Sequence, residues 1–446
     1  MSRRLRLAPR ALFCSLALCA LLAACGGGGS SSGNSASAAS SSSPASAAAP
    51  ASAPGTPASS TSSTSTTSTT STTSTTSPPV PQSTTANVVA VNVSTSATST
   101  RNMLMASVTV CVPGTNTCAT VDNVQVDTGS QGLRLLASAL PAGFALPGVP
   151  AGSGGSAGAP AGECAVFGTG YTWGAVRLAD VQLAGETAAS LPIQVIADPS
   201  VPAAPGNCSS SGVAMNSATA LHANGILGVG VFNADCGAGC VNKALSPWYY
   251  ACASGSCTAT AQPLAQQVSN PVAAFSSDNN GVVIDLPAIA ADGTATANGS
   301  LTFGIGTQAD NELGSATVLH ADTVSGFVTT TAPDGTVYSQ SYLDSGSNAY
   351  FFSSTTLTRC GVWFCPASPQ TDSATIAGTD GTTVAVAFSI TSEQTLVATG
   401  NWAFDDLAGY NGSMFGWGLS FFYGRRVYTA IEAQETPAGA GPFFAF

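Results

Sequence analysis

The sequence predicts a mainly β protein made of two similar β-barrel-like lobes, related by a pseudo-two-fold axis with a cleft between them. Three observations predict it. From about Val88 to Phe446, short alternating runs rich in Val, Thr and aromatics are separated by Gly, Pro, Asn and Asp, with no long helical period. The stretch "VQVDTGSQGLRL" (Val124–Leu135) returns in the same frame as "SYLDSGSNAYFF" (Ser341–Phe352). A second element, "ANGILGVG" (Ala223–Gly230), follows the first frame, and "YNGSMFGWG" (Tyr410–Gly418) follows the second. Each has Asn-Gly, an apolar pair and then Gly-x-Gly, so the chain reads as a duplication.

Four segments follow one another. In residues 1–24, Arg3, Arg4, Arg6 and Arg10 precede the apolar stretch Ala11–Ala24, which is too short to span a bilayer and reads as a signal peptide. Its end, Leu22-Ala23-Ala24-Cys25, resembles a bacterial lipobox. The resemblance implies cleavage before Cys25 and acylation (palmitate among the chains) of its thiol and new amino group. That exceeds the two signals stable membrane attachment needs. Residues 25–86 hold Cys25 and a Ser/Thr/Pro-rich tether; Gly26–Gln82 has no charged side chain. Such a segment buries too little apolar surface to offset its ordering entropy, so it is expected to be disordered, with a reach of about 40 Å. Its composition also suits O-glycan attachment. Residues 87–270 form the N-terminal lobe and 271–446 the C-terminal lobe. The expected location is the bacterial cell envelope. Gly26 after the lipid cysteine favours the outer membrane, with the protein facing periplasm or exterior.

Charge and cysteine usage agree with export. Beyond residue 24, seven Lys and Arg remain against 22 Asp and Glu, and Lys243 is the only lysine. Nucleic acid is excluded as a partner for so acidic a surface. In acid the carboxylates neutralise and few fixed positive charges are left, so self-repulsion drives little acid unfolding. Of 13 cysteines, Cys14 and Cys19 leave with the signal and Cys25 is lipidated. Close spacing pairs Cys111 with Cys118, Cys236 with Cys240, Cys252 with Cys257 and Cys360 with Cys365; Cys164 and Cys208 are the remaining pair. A zinc site is the alternative use of these sulfurs. Only His222 and His320 accompany them and no paired CxxC occurs, so no metal is expected.

The chemical inventory is narrow. A Gly-x-Ser-x-Gly string, Gly154–Gly158, lies in a Gly/Ala/Ser loop with no strand before it and no helix after it, which is not a nucleophile elbow. No Walker A or dinucleotide fingerprint appears in a strand-turn-helix context. What remains is two carboxylates, Asp127 and Asp344, in matching frames. One Asp-Thr/Ser-Gly reads as an Asx-turn at a strand end. This composition produces the motif by chance on the order of 0.1 times per chain, so a matched pair calls for another reading.

These residues resemble the bilobal pepsin-like aspartic protease family, whose lobes each carry an Asp-Thr/Ser-Gly loop and a distal apolar-apolar-Gly element. "VFGTGYTWGAVRLADVQLAG" (Val166–Gly185) resembles the family's flap hairpin, with Phe167, Gly168, Thr169 and Gly170 at its tip. "NGILGVG", "GSLTFGIG" and "GLSFFYGRRVYTAIE" resemble further family segments, and the likeness runs from Asn87 to Phe446. The resemblance implies a pepsin-like fold in which Asp127 and Asp344 meet in the cleft and share one proton. The ionised acid activates water and the protonated one polarises the scissile carbonyl. Thr128 and Ser345 are expected to cross-brace the loops, Gly129 and Gly346 to permit tight turns, and Ser130 and Ser347 to bond the outer carboxylate oxygens. Two positions depart from the family. Phe167 stands where the flap has a tyrosine, and Arg134 where a tryptophan bonds that tyrosine; Tyr171 and Trp173 lie nearby as replacements.

The expected function is a membrane-anchored aspartic-type endopeptidase acting on extended peptides. It would be a monomer without cofactors, meeting polypeptide in the inter-lobe cleft and the membrane only through its lipid. The alternative is a catalytically weak or inactive lipoprotein of the same fold that binds peptide or polysaccharide.

Overall fold

The computed structural model describes residues 86–95, 100–152 and 158–446. The signal sequence, Cys25, the tether and most of the Gly154–Gly158 string lie outside the described residues.

Strand Val88–Val93 shows how the elements arise. Its side chains alternate between half-buried and buried, as period-2 patterning requires. The same alternation runs through Thr383–Ile390.

The first lobe is a closed barrel of six strands. Met105–Cys111 pairs with Cys118–Asp127, followed in order by Gly225–Val229, Gln131–Leu136, Glu186–Ile196 and Gly170–Leu183, which returns to Met105–Cys111. Its core is aliphatic, with Val108, Val121, Val126, Leu133, Ile193 and Leu227 buried. The second lobe is an open nine-stranded sheet running from Arg359–Cys360 at one edge to Thr383–Ile390 at the other. Aromatic rings fill it: Phe352 stacks on Phe415 at 5.1 Å, and Phe415 meets Trp417 at 4.6 Å. Large rings supply the buried volume that a half-barrel lacks in backbone closure. Six further antiparallel strands continue the first lobe's sheet beyond Met105–Cys111: Val88–Val93, Ala297–Phe303, Gly281–Leu286, Arg425–Ala430, Phe443–Ala445 and Val318–His320. The first strand among the described residues, Val88–Val93, therefore pairs with residues more than 200 positions later.

The duplication is visible in strand order. Cys118–Asp127 runs parallel to Gly225–Val229; Gln131–Leu136 runs antiparallel to that strand and parallel to Glu186–Ile196. In the second lobe Val337–Leu343 runs parallel to Phe415–Trp417; Tyr350–Phe352 runs antiparallel to it and parallel to Ala408–Tyr410. The spacing of the sequence elements matches Gly228 with Gly416, but the ladders differ. Asp127 lies opposite Gly228, whereas Leu343 lies opposite Trp417, which puts Asp344 level with Gly418. The second lobe's strand is thus shifted by two residues, a step that keeps every side chain on its original face.

All five expected cysteine pairs, four from close spacing and Cys164–Cys208 as the pair left over, are disulfides. Cys111–Cys118 and Cys252–Cys257 each join directly opposed residues of a hairpin.

Candidate active site

Strand Cys118–Asp127 delivers Asp127 at its last residue, and Asp344 follows Val337–Leu343 directly. Both loops then use the same local donors. Gly129 N–H donates to Asp127 Oδ1 (2.8 Å) and Ser130 Oγ to Oδ2 (2.5 Å). Gly346 N–H donates to Asp344 Oδ1 (2.8 Å) and Ser347 Oγ to Oδ2 (2.6 Å). These bonds hold each carboxyl in plane at the strand end.

The two loops bond to one another through their hydroxyls. Thr128 Oγ1 accepts from Ser345 N–H (2.9 Å) and donates to the Leu343 carbonyl (3.1 Å). Ser345 Oγ accepts from Thr128 N–H (3.1 Å) and donates to the Val126 carbonyl (2.9 Å). Both side chains are buried, so each hydroxyl satisfies one N–H and one C=O that water cannot reach. Glycine is needed at the next position for space. A Cβ on Gly129 would sit 2.6 Å from the Asp344 carboxyl carbon, and one on Gly346 would sit 2.6 Å from that of Asp127. The acids therefore face each other across the brace.

Their electrostatics follow from this proximity. Asp127 is 7% exposed and Asp344 8%, so little water solvates a second negative charge. Burial, and then the charge of Asp344, push Asp127 up to about 8, against the lowering effect of Ser130. One proton is a property of such a pair.

Two neighbours escape motif reading. Gln125 Nε2 donates to the Gly346 carbonyl (2.8 Å), tying the first lobe to the second acid's loop. Tyr342 places its hydroxyl 3.2 Å from Met414 Sδ. Burial and the charges of Asp344 and Asp127 push this phenol up. Each lies two residues before an aspartate, and period-2 alternation on the strand was the available signal. A further tie comes from Asn102, whose Nδ2 donates to the carbonyls of Phe404 (2.6 Å) and Asn348 (2.9 Å).

The flap segment is a hairpin of Ala161–Phe167 and the start of Gly170–Leu183, turning at Gly168 and Thr169. Its second strand has an added neighbour: Val213–Ala214 pairs in parallel with Gly170–Tyr171, and Met215 N–H donates to the Tyr171 carbonyl (2.8 Å). A Cβ on Gly170 would strike the Val213 backbone, so this glycine serves close strand approach. Disulfide Cys164–Cys208 joins the hairpin to the short helix Gly206–Ser209 that precedes this added strand. Thr169 Oγ1 lies 3.3 Å from Met215 Sδ. Phe167 packs on a cluster that includes Met103, Met105, Ile196, Met215 and Ile226. Tyr171 and Trp173, expected as replacements for the missing flap hydroxyl, pack instead with Cys164, Cys208 and Tyr250, and Trp173 Nε1 donates to the Pro202 carbonyl (2.8 Å).

Elsewhere among the described residues, Cys360, Cys365 and Glu393 come within metal-ligand range of one another. The two sulfurs are already joined in a disulfide, and a metal needs thiolates.

Stability should depend on pH in a direction fixed by the buried acids. Asp127 is raised to about 8 and Asp406, buried beside Asp405 and Thr391, to about 6. A raised carboxyl binds its proton more tightly in the folded state. Its contribution is complete below about pH 4 and is lost as pH rises through the folded value. Asp198, lowered by its bonds to Arg177 and Ser200 despite burial, works the other way and loses its contribution as pH falls below the usual carboxylate range. The expected melting temperature is highest near pH 4–5 and falls by roughly 5–10 °C towards pH 8. A thermal scan series that rises towards pH 8 would contradict this.

A closed β barrel and an open half-barrel, each carrying one Asp loop of the same strand plan, are consistent with a bilobal protein of pepsin-like architecture. The chain belongs to the family described as "Protein of unknown function (DUF3443)", whose profile matches residues 83–446. Among solved structures, the crystal structure of an aspartic proteinase from Irpex lacteus matches over 80% of this chain and 96% of that chain, at 14% identity and a TM-score of 0.44. No curated protein matches the sequence.

Proposed function

We propose that this protein is an aspartic-type endopeptidase that hydrolyses extended peptides with a water activated by Asp127 and Asp344. The observation that carries the reading is the pair of opposed, nearly buried carboxyls, one raised to about 8, on loops that brace each other. Asp127 holds the shared proton and gives it to the carbonyl oxygen of the scissile bond. Asp344 takes a proton from the attacking water, whose oxygen bonds to the carbonyl carbon. The resulting diol collapses as one of its hydroxyls returns a proton to Asp127, the C–N bond breaks, and the leaving nitrogen takes the proton held by Asp344, so the pair again holds one proton. Ser130 and Ser347 keep the outer oxygens occupied, so the inner ones are left to exchange protons.

The same proposal places the domain on the bacterial envelope through lipidated Cys25 and the charge-free tether, with polypeptide as its substrate. The test is hydrolysis of a denatured protein between pH 3 and 9, with and without pepstatin. Pepstatin-sensitive turnover is expected up to about pH 8, where Asp127 loses its proton. Folded protein without turnover at any pH contradicts the proposal.

A further inference from the structure

We propose that Arg134 is a positioning residue, a strut that sets the flap hairpin against the Asp127 loop; this rests on the endopeptidase reading. Arg134 lies in the strand Gln131–Leu136 that leaves the Asp127 loop. Its guanidinium reaches in three directions. Nη1 donates to the Gln131 carbonyl (2.6 Å), just beyond Asp127-Thr128-Gly129-Ser130. Nη2 donates to Glu163 Oε1 (2.6 Å), in the first flap strand, and lies 3.3 Å from Asp235 Oδ2. The ring of Phe167 at the flap tip lies 5.8 Å from the guanidinium carbon, within cation–π range.

The far end of the strut is itself held. The Glu163 carbonyl accepts from Gln194 Nε2 (2.8 Å), and Gln194 Oε1 accepts from Thr172 Oγ1 (2.6 Å) in the second flap strand. Asp235 Oδ1 accepts from Tyr249 OH (2.6 Å), which in turn accepts from Val268 N–H (2.7 Å). The side chains of Arg134, Glu163 and Asp235 are at most 4% exposed. One cation thus meets two acids out of water. Burial and the charge of Glu163 hold Asp235 well above the usual carboxylate range, and Tyr249 is raised by burial as well. These are the titratable groups around the guanidinium.

A planar fork with several fixed donors can bond the loop backbone and the flap carboxylate together; a lysine ammonium, a single point charge, cannot do both in this geometry. The two departures from the aspartic protease pattern therefore meet each other. Arg134 and Phe167 form a cation–ring contact, and Glu163 adds an ion pair to it.

The test compares wild type, Arg134→Lys and Phe167→Leu at pH 5. Amide hydrogen exchange is read over Ala165–Tyr171 and, as a control, over Val108–Cys111 in the barrel strand Met105–Cys111, away from the cluster under Phe167. Steady-state peptide hydrolysis is measured alongside. Arg134→Lys keeps the charge, and Phe167→Leu removes only the ring. Both variants are expected to exchange flap amides at least tenfold faster while the barrel control is unchanged. Both should lose tenfold or more in kcat with KM changed by less than threefold. Flap exchange that stays at the wild-type rate in both variants, or that rises equally in the barrel strand, overturns the strut. If wild type shows no turnover, the endopeptidase reading fails on its own, and the exchange comparison still decides the role of Arg134. Should Arg134→Lys not fold, Phe167→Leu carries the same decision.

Discussion

Asp127→Asn and Asp344→Asn should each reduce peptide hydrolysis by about 10⁴-fold or more, because each removes one half of a proton-sharing pair rather than an accessory group. Neither change should unfold the protein. The amide keeps the shape of the carboxyl: its oxygen still accepts from the glycine N–H, and its NH2 group donates to the serine oxygen once that hydroxyl rotates to accept. For Asp127→Asn the expected sign on stability is positive at high pH. The native carboxyl is raised to about 8 by burial and by Asp344, so its ionisation opposes folding as pH rises. At pH 8.5 the variant should melt above wild type; at pH 4 the two should melt together. Lost activity combined with a gain in alkaline stability separates a chemical role from simple damage. Retained hydrolysis in either variant removes the paired-acid mechanism.

The second large effect concerns the brace. Thr128→Val and Ser345→Ala each delete a buried hydroxyl that satisfies one N–H and one carbonyl from the opposite loop. Leaving those groups unpaired out of water costs about 2–4 kcal/mol per variant. Because the hydroxyls belong to one network, the double variant should fall short of the sum of the singles by about 0.5–2 kcal/mol. Urea denaturation at pH 5 measures all three. Turnover should also fall in each variant that still folds, since the acids meet only as well as their loops do. Singles within about 0.5 kcal/mol of wild type would mean that the brace does not hold the loops.

Much of this was legible because the decisive groups sit next to one another in sequence. Asp127 through Ser130 and Asp344 through Ser347 are contiguous, and all but one of the disulfides close loops of seven residues or fewer. The strand alternation that gives the β class is also local. What escaped notice is long-range. Arg134 lies 29 residues from Glu163 and 101 from Asp235, and each of those acids, read alone, is an ordinary charged residue. The two-residue strand Val213–Ala214 is too short to carry a period, so its pairing with the flap had no signature. The counterpart of Gly228 by motif spacing, Gly416, differs by two residues from its counterpart by register, Gly418, for a related reason. Motif spacing counts residues along the chain, whereas register is set by the ladder across it.

The most direct measurement is the carboxyl titration of the pair itself, followed by ¹³C NMR of aspartate-labelled protein with Asp127→Asn and Asp344→Asn used for assignment. One of the two carboxyls should remain protonated at pH 6.5 and release its proton near pH 8, with the other responding through its shift. If both instead ionise together near pH 4, like isolated surface aspartates, no proton is shared across the lobes.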